Sequence, residues 1–195
     1  MENVDDILAL FQRTGAYMHG HFRLTSGLHS PEYLQCALVL QHPHYAEALG
    51  TRLARSLEEM NPTPIKVVAA PAMGGIIIGH EVARALKARS IFTERDSSGK
   101  MALRRGFHVE PGETAVVIED VITTGGSSRE VCDLLRELGA EVAAAGSIID
   151  RSDGHADLGV PRVALSSMKA IAYDPSDCPL CRDGVPVEKP GSRKS

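Results

Sequence analysis

The 195-residue sequence contains no tryptophan, and aromatic residues make up only 4% of it. So few aromatic side chains argue against a surface on which nucleic-acid bases stack. A basic excess is also missing, since 21 Lys and Arg stand against 25 Asp and Glu, giving a net charge of −4. A general nucleic-acid binder needs the opposite balance. We therefore expect no nucleic-acid partner.

Long apolar runs and basic leader sequences are absent as well. The richest apolar stretch, residues 67–79, is interrupted by Pro71, Gly74 and Gly75, and it falls short of the roughly 18 uninterrupted residues of a membrane helix. The first residues, MENVDDILALF, are acidic where a signal peptide would be basic. These features predict a cytoplasmic protein with no membrane partner, whose four cysteines are reduced thiols.

What the sequence does contain is the composition of an ordinary globular protein, with 43% hydrophobic and 24% charged residues. A chain of this length buries enough surface to fold without disulfides. We predict a single domain over residues 1–195. Its core is expected at about 45–170, followed by an irregular tail at about 174–195, which is rich in proline, glycine and charge.

Hydrophobic periodicity places the regular elements. The spacing predicts helices at 4–14, 45–60, 76–87 and 127–138, and strands at 65–70, 90–93, 114–118, 142–149 and 163–168. The segments 17–40 and 94–108 show no strong period. Because buried strands alternate with helices from residue 65 onward, we predict an α/β fold with a mainly parallel sheet flanked by helices.

Residues 116–127 are the most informative segment. A hydrophobic strand runs into two adjacent acids, then into a hydroxyl- and glycine-rich turn where a helix begins. Ligands of open α/β sheets bind beyond the carboxyl ends of strands. The glycines and the helix N-terminus suit a phosphate, whereas Glu119 and Asp120 suit a vicinal diol, with Mg²⁺ nearby. A ribose 5-phosphate has both groups, whereas a plain capped turn, the alternative, has no use for paired acids.

This segment closely resembles the phosphoribosyl-diphosphate (PRPP) signature of the type I phosphoribosyltransferases. The resemblance implies their fold, in which a small hood, here mainly residues 1–40 with C-terminal contributions, covers the base site. It also implies that a second glycine turn, after the strand at 65–70, approaches the diphosphate. The PRPP-binding residues that it implies are Glu119, Asp120, Val121, Ile122, Thr123, Thr124, Gly125, Gly126, Ser127, Met73 and Gly74.

Two further segments resemble the orotate phosphoribosyltransferases, in particular bacterial members with a C-terminal Cys-Pro-x-Cys. Residues 22–34 contain a Ser-Gly and then a Ser-Pro before an aromatic residue, and the strand near 148 ends at Arg151. The resemblance implies that Arg151, Thr123 and Tyr33 contact orotate. A guanidinium holds a carboxylate with two hydrogen bonds. The alternative for Arg151 is a surface ion pair.

The chain departs from the best-known orotate enzymes where they neutralise the diphosphate. Thr25 stands in place of a lysine, residues 73–74 replace a Tyr-Lys, and segment 94–108 is not rich in lysine and histidine. Cations brought to the leaving diphosphate lower the barrier, so we expect Arg95 and Lys100 there, with Lys100 as the catalytic group. A solvated charge run is the alternative. The cationic side chains of the segment are Arg95, Lys100, Arg104, Arg105 and His108.

The resemblance implies an enzyme that converts orotate and PRPP, with Mg²⁺, into orotidine 5′-monophosphate and diphosphate in pyrimidine synthesis. In the family the 94–108 loop reaches a neighbouring subunit's site, which implies a homodimer. Two alternatives stay open. A phosphoribosyltransferase for another base, such as a purine, would not need Arg151, and a PRPP-sensing regulator would need a nucleic-acid surface that the charge and the short segment before residue 17 disfavour.

The cysteines and histidines have no role in this scheme. Cys178 and Cys181 form a C-x-x-C pair, which suits half of a zinc knuckle, a redox pair or a packed turn. The sequence contains no second C-x-x-C. Nothing nearby in sequence completes a site with the closely spaced histidines, which we assign to the surface or the core: His19, His21, His42 and His44.

Overall fold

The computed structural model describes residues 6–24, 26–61, 63–169 and 171–190. In chain order the helices and strands are α1 (Ile7–Arg13), β1 (Tyr17–Arg23), β2 (His29–Leu34), α2 (Ala37–Leu40), α3 (Pro43–Met60), β3 (Val67–Pro71), α4 (Gly75–Leu86), β4 (Arg89–Arg95), β5 (Met101–Leu103), β6 (Thr114–Ile122), α5 (Gly126–Glu137), β7 (Glu141–Asp150), β8 (Arg162–Ser167) and α6 (Pro179–Arg182). The chain divides into two compact units. We call residues 1–39 with 169–195 the terminal unit, and residues 40–168 the sheet unit.

A six-stranded sheet forms the centre of the sheet unit, in the order β5-β4-β3-β6-β7-β8. Neighbouring strands are parallel except for the pair β4–β5. Both central strands, β3 along its whole length and β6 over its first half, are buried, as expected when helices cover both faces of a sheet. The predicted α/β fold with a mainly parallel sheet is confirmed.

Helices cover the two faces of this sheet. On one face, α4 packs closely against β3, since Gly79 has no side chain. A Cβ on Gly79 would lie only 2.9 Å from the Ala70 Cβ of β3. The α3 leucines Leu53 and Leu57 lie on β7 beside Gly146. On the other face, α5 buries its apolar stripe against alternate residues of β3 and β6: Val131, Cys132 and Leu135 with Val67, Ala69, Ala115 and Val117.

Most predicted elements of the sheet unit lie within two or three residues of those observed, but two predictions are wrong. Strand β6 does not end at residue 118 but continues to Ile122, so the paired acids belong to the strand itself. Segment 94–108 is not an irregular loop. It contains the end of β4 and the short strand β5, which pair as an antiparallel hairpin through Thr93–Leu103 and Arg95–Met101.

The terminal unit contains the antiparallel pair β1–β2, whose register shifts between His19 and Phe22. Helix α1 starts after Asp6, whose carboxylate accepts a hydrogen bond from the N–H of Ala9 at 2.9 Å. It is shorter than the predicted 4–14, and residue 4 is outside the described residues. Single bridges join the pair to the C-terminal segment at Phe22–Glu188 and His29–Tyr173.

The predicted irregular tail is partly regular. A 3₁₀ turn at Pro175–Asp177 precedes α6. Across the described ranges of the chain, no helix has both the length and the apolar character that crossing a bilayer requires.

Candidate active site

The segment predicted to bind PRPP forms the end of strand β6, a short loop and the first turn of helix α5. Thr123 and Thr124 are exposed in the loop. Gly125, the residue before the helix, has φ +80°, and a Cβ there would lie 2.6 Å from the Leu158 Cδ2. Both the left-handed backbone and the close approach require glycine. The first N–H groups of α5 have no partners within the helix, although that of Gly126 donates a long hydrogen bond to Thr124 Oγ1 at 3.5 Å. A helix N-terminus of this kind suits an anion.

The second glycine turn, residues 72–74, lies against the first. Strand β3 is the neighbour of β6 in the sheet, so the turns that follow the two strands meet at one edge. A Cβ on Gly74 would lie 2.7 Å from both carboxylate oxygens of Asp120. Met73 is 75% exposed, so it contributes mainly backbone to this edge. The structure thus brings together Gly74 and Asp120, which the sequence places 46 residues apart.

Burial makes the charge on Glu119 costly. Burial raises the pKa of this carboxyl well above its ordinary value, and the neighbouring negative charge of Asp120 raises it further. A hydrogen bond that the Ser128 hydroxyl donates to Glu119 Oε2 at 3.2 Å acts in the opposite direction. The half-buried pair of acids therefore favours a partner that donates hydrogen bonds or carries positive charge.

Arg151 follows the end of β7, next to β6. Its backbone N–H donates a 2.7 Å hydrogen bond to the carbonyl of Ile122, and Ile122 is paired with Asp150 in the sheet. Thr123 and Arg151 therefore each follow a paired residue on adjacent strands. Arg151 is only 7% exposed, so it does not lie at the surface.

Three of the five predicted cations of segment 94–108 are already paired with acids. Arg95 donates to Glu130 of α5 at 2.9 and 3.2 Å. Arg105 donates to Glu94 at 2.7 and 2.8 Å and lies 5.6 Å from the Phe92 ring centroid. The third pair is a weak one between His108 Nε2 and Glu110 Oε1 at 3.6 Å, charged only when the histidine is protonated.

Lys100 and Arg104 are both exposed, and neither forms an ion pair with a described residue. Lys100 lies in the turn between β4 and β5. The Asp96 carboxylate holds this turn by accepting hydrogen bonds from the backbone N–H groups of Ser98 and Lys100 at 2.8 and 3.1 Å. The turn therefore presents the Lys100 ammonium group to solvent.

Tyr33 belongs to the terminal unit. It lies on β2, half-buried, with its ring centroid 5.8 Å from that of Phe22. Thr25, which stands in place of the family's lysine, lies outside the described residues.

A second cluster of side chains with metal-binding atoms was missed by the sequence interpretation. In the terminal unit His21, His29, Cys178 and Cys181 bring one nitrogen or sulfur atom each to within 4.8 Å of one another. His21 is buried, in agreement with its assignment to the surface or core, but the sequence did not indicate that it has these three neighbours. The C-x-x-C pair was a usable signal, but His29 stood outside every predicted element and gave none.

Comparisons with known proteins agree with the geometry. A phosphoribosyl transferase domain model matches residues 38–169. The orotate phosphoribosyltransferase of Pelotomaculum thermopropionicum is 56% identical over 97% of this chain and 98% of its own length. That of Thermotoga petrophila is 53% identical over 96% and 98%. The crystal structure of orotate phosphoribosyltransferase from Aeropyrum pernix has a TM-score of 0.70 at 22% identity, covering 85% of this chain and 94% of that chain, and supports the fold.

Proposed function

The chain belongs to the orotate phosphoribosyltransferases, within the phosphoribosyl transferase domain family, and from this premise we propose how its own residues carry out the reaction. The enzyme transfers the phosphoribosyl group of PRPP to orotate, giving orotidine 5′-monophosphate and diphosphate. The observation that carries the residue assignments is the close approach of the Gly74 turn to the Asp120 carboxylate, with buried Arg151 following the end of the adjacent strand β7.

PRPP binds along the edge formed by the two glycine turns. Glu119 and Asp120 accept hydrogen bonds from the two ribose hydroxyls, which offsets the cost of their neighbouring charges. Residues 123–127 surround the 5′-phosphate with hydroxyl groups and with the first N–H groups of α5. The backbone at residues 73–74 faces the diphosphate, where small residues allow a close approach.

Mg²⁺ is the proposed cofactor and is held mainly by PRPP. The oxygen donors of Glu119 and Asp120 are of the type that this hard cation prefers, so the chain offers a suitable set of ligands beside the diphosphate. When bound, the ion neutralises charge on the diphosphate.

Orotate is proposed to bind at the adjoining ends of β6 and β7. Arg151 donates two hydrogen bonds to the orotate carboxylate, and Thr123 contributes a hydroxyl from the start of the β6–α5 loop. Burial of the guanidinium strengthens its attraction for a carboxylate because little water screens the pair. Tyr33 remains a predicted orotate contact.

During transfer the bond from the anomeric carbon to the diphosphate oxygen breaks, and the diphosphate leaves with the bonding electrons. A bond to an orotate ring nitrogen forms, and the proton of that nitrogen is released. Positive charge develops on the sugar and negative charge on the leaving diphosphate. Catalysis therefore depends on positioning and electrostatics rather than on a nucleophilic side chain. Lys100 is the proposed catalytic cation because its ammonium group is exposed and forms no ion pair with the described residues, whereas Arg95 must first leave Glu130.

A homodimer is proposed in which the Lys100 turn serves a neighbouring subunit. Support comes from a cavity of about 310 Å³ on the sheet unit, lined by Ile76, Ile77, Phe92 and Phe107 among others. Such apolar groups on a surface suit contact with another chain. A cytoplasmic location remains a prediction from composition.

The direct test mixes purified protein with PRPP, Mg²⁺ and orotate and follows the loss of orotate absorbance. We expect turnover that requires all three components and that Asp120→Asn lowers by about 10- to 100-fold, since hydrogen bonds to charged groups contribute about 1.5–3 kcal/mol. Adenine and hypoxanthine serve as control acceptors. Turnover of a purine without turnover of orotate would overturn the acceptor assignment, and full activity of Asp120→Asn would overturn the ribose assignment.

A further inference from the structure

Four side chains with metal-binding atoms converge inside the terminal unit, and the proposed transfer mechanism uses none of them. His21 lies on β1 and His29 on β2, whereas Cys178 immediately precedes α6 and Cys181 lies within it. The atoms that approach one another are His21 Nε2, His29 Nδ1 and the two cysteine Sγ atoms, all within 4.8 Å. The cysteines are free thiols rather than a disulfide.

Three sulfur–nitrogen separations are close to those of a tetrahedral metal site. Cys181 Sγ lies 3.3 Å from His29 Nδ1 and 3.7 Å from His21 Nε2, and Cys178 Sγ lies 3.5 Å from His21 Nε2. Bonds of about 2.3 Å to sulfur and 2.0–2.1 Å to nitrogen around a tetrahedral zinc give sulfur–nitrogen separations of about 3.6 Å. The two imidazole nitrogens are 2.8 Å apart, so binding would separate them by about 0.5 Å.

The His21 ring is oriented for this role by a contact on its other side. His21 Nδ1 lies 2.7 Å from the carbonyl oxygen of Val185. A carbonyl only accepts hydrogen bonds, so Nδ1 carries the proton and donates it, which leaves the Nε2 lone pair directed at the cluster. A backbone carbonyl that fixes the tautomer of a ligating histidine is a recurrent feature of metal sites.

The backbone around the cluster is also fixed on several sides. His29 forms a bridge with Tyr173, and the carbonyl of His21 accepts a 2.7 Å hydrogen bond from the N–H of Glu188. His21, His29 and Cys178 are only 3%, 6% and 1% exposed, whereas Cys181 is exposed. Three buried ligands and one at the surface leave an entry path for an ion.

We propose that His21, His29, Cys178 and Cys181 bind a structural zinc ion. Two thiolates and two imidazoles are a donor set that suits Zn²⁺, and hard cations such as Mg²⁺ prefer oxygen. The protein supplies all four ligands, which leaves no open position for substrate, so the ion holds structure rather than taking part in transfer.

The ion would join the two ends of the chain. His21 and His29 are 157 and 152 residues from the cysteines that they approach. Linking segments so far apart restricts the unfolded chain strongly. The terminal unit needs such a link because few large apolar side chains are buried in it, chiefly Ile7, Leu10, Phe11, Phe22 and Leu34.

Metal content and cobalt substitution test the proposal. Untagged full-length protein, purified with zinc present, is expected to hold about one zinc per chain. Protein stripped of metal and titrated with Co²⁺ should show intense visible bands and a thiolate-to-cobalt charge-transfer band, which an oxygen-only site at Glu119 and Asp120 cannot give. Stripping is also expected to lower the melting temperature measured without substrates, and Zn²⁺ should restore it.

Two pairs of variants distinguish zinc bound at this cluster from zinc bound elsewhere on the protein. Cys181→Ser is chosen because Cys181 is exposed, and its matched control is Cys132→Ala, a buried cysteine of α5 whose thiol pKa burial raises to about 11. His29→Asn is compared with His19→Asn, an exposed histidine on β1. Zinc content should fall at least about tenfold in Cys181→Ser and His29→Asn and stay near one in both controls.

Other results would overturn the proposal. One is wild-type protein that takes up neither zinc nor cobalt while all four cysteines titrate as free thiols, because the cluster would then be a hydrogen-bonded group alone. Another is a Cys178–Cys181 disulfide in protein isolated without oxidant, which would make the pair a redox site. A third is zinc retained equally by Cys181→Ser and Cys132→Ala, which would place the ion elsewhere.

Discussion

At Glu119 the proposed role in ribose binding conflicts with the stability of the fold. Its pKa is raised by burial and by Asp120, so the folded state binds a proton more tightly than the unfolded chain does. The ionised carboxylate therefore costs stability, and the cost grows as the pH rises from the ordinary value of 4.5 through the raised pKa. Below the ordinary value the cost vanishes.

Glu119→Gln is consequently expected to be more stable than the parent at neutral pH and less active. The amide oxygen still accepts the hydrogen bond from Ser128 without a charge, so the stability gain should increase from pH 5 to pH 8 in urea unfolding. The kcat/KM for PRPP should fall about 10- to 100-fold, because ribose loses a charged acceptor. Glu137→Gln, an exposed acid at the end of α5, is the control. A gain independent of pH would contradict the prediction.

Substitution of Arg151 is expected to impair the reaction with orotate but not with an acceptor that lacks a carboxylate. Arg151→Ala should lower kcat/KM for orotate about 100-fold or more, because a buried two-point contact with a carboxylate is lost. Arg151→Lys keeps the charge but not the planar fork, so it should recover part of that loss. Uracil, which has no carboxylate, is the control acceptor. Equal losses with uracil and orotate would mean that Arg151 supports the fold rather than the acceptor.

The residues of the proposed PRPP segment could be selected from the sequence because they are consecutive, so a single stretch contains most of the proposed site. Which of the cations form ion pairs could not be predicted from the sequence. Arg95 meets Glu130, which lies 35 positions further along the chain, and only the packing of α5 beside the β4–β5 hairpin brings the two together. The sequence therefore indicated which residues carry charge but not which of those charges are already paired.

At the scale of elements, the β6–α5 turn requires Gly125 both for its left-handed backbone and for the close approach of Leu158. A comparison with Gly112 distinguishes these two requirements. Gly125 and Gly112 both have φ +80°, but a Cβ on Gly125 would clash with Leu158, whereas Gly112 has open space around it. Gly112→Ala should cost about 1 kcal/mol of unfolding free energy through backbone strain alone. Gly125→Ala should cost about 2–4 kcal/mol, since overpacking adds to that strain.

Urea unfolding of the two glycine variants gives the comparison, and the KM for PRPP gives a second readout. Of the two variants, only Gly125→Ala should raise that KM, because Gly125 lies in the loop that we propose surrounds the 5′-phosphate and Gly112 does not. Equal destabilisation by both substitutions would show that the contact with Leu158 relaxes freely.

Elements with long apolar periods were predictable, and short ones were not. Helix α3 buries Leu49, Leu53 and Leu57 at steps of four residues, which the sequence displays directly. Strand β5 has three residues, all half-buried, too few for a period of two to appear. Its pairing with β4 depends on the turn at 96–100, so the hairpin emerges only when both strands are considered together.

At the scale of the whole molecule, the cysteine and histidine cluster shows what a pattern search along the chain cannot detect. Its two histidines come from the N-terminal pair of strands, and its cysteines come from the segment around α6. Each half alone has an ordinary role in packing. The four side chains meet because the C-terminal segment pairs with Phe22 and His29, a contact between residues more than 140 positions apart in sequence.

The proposed homodimer makes a prediction that single variants cannot test. Lys100→Ala and Asp120→Asn should each be strongly impaired alone. If Lys100 serves the neighbouring subunit, a mixed dimer has one site that lacks both residues and one that is complete. Random pairing at equal amounts makes about half the dimers mixed, so unfolding and refolding the two variants together should restore about a quarter of parental activity.

The same mixture distinguishes the other arrangements. When Lys100 acts within its own subunit, every site in a mixed dimer lacks one residue, and no activity returns. Sedimentation of the refolded mixture shows whether dimers formed. An inactive dimer would contradict the proposal that the Lys100 turn serves the neighbouring subunit, and an inactive monomer would contradict the dimer itself. Refolding each variant alone gives the baseline, and parental protein treated in the same way gives the yield against which a quarter is measured.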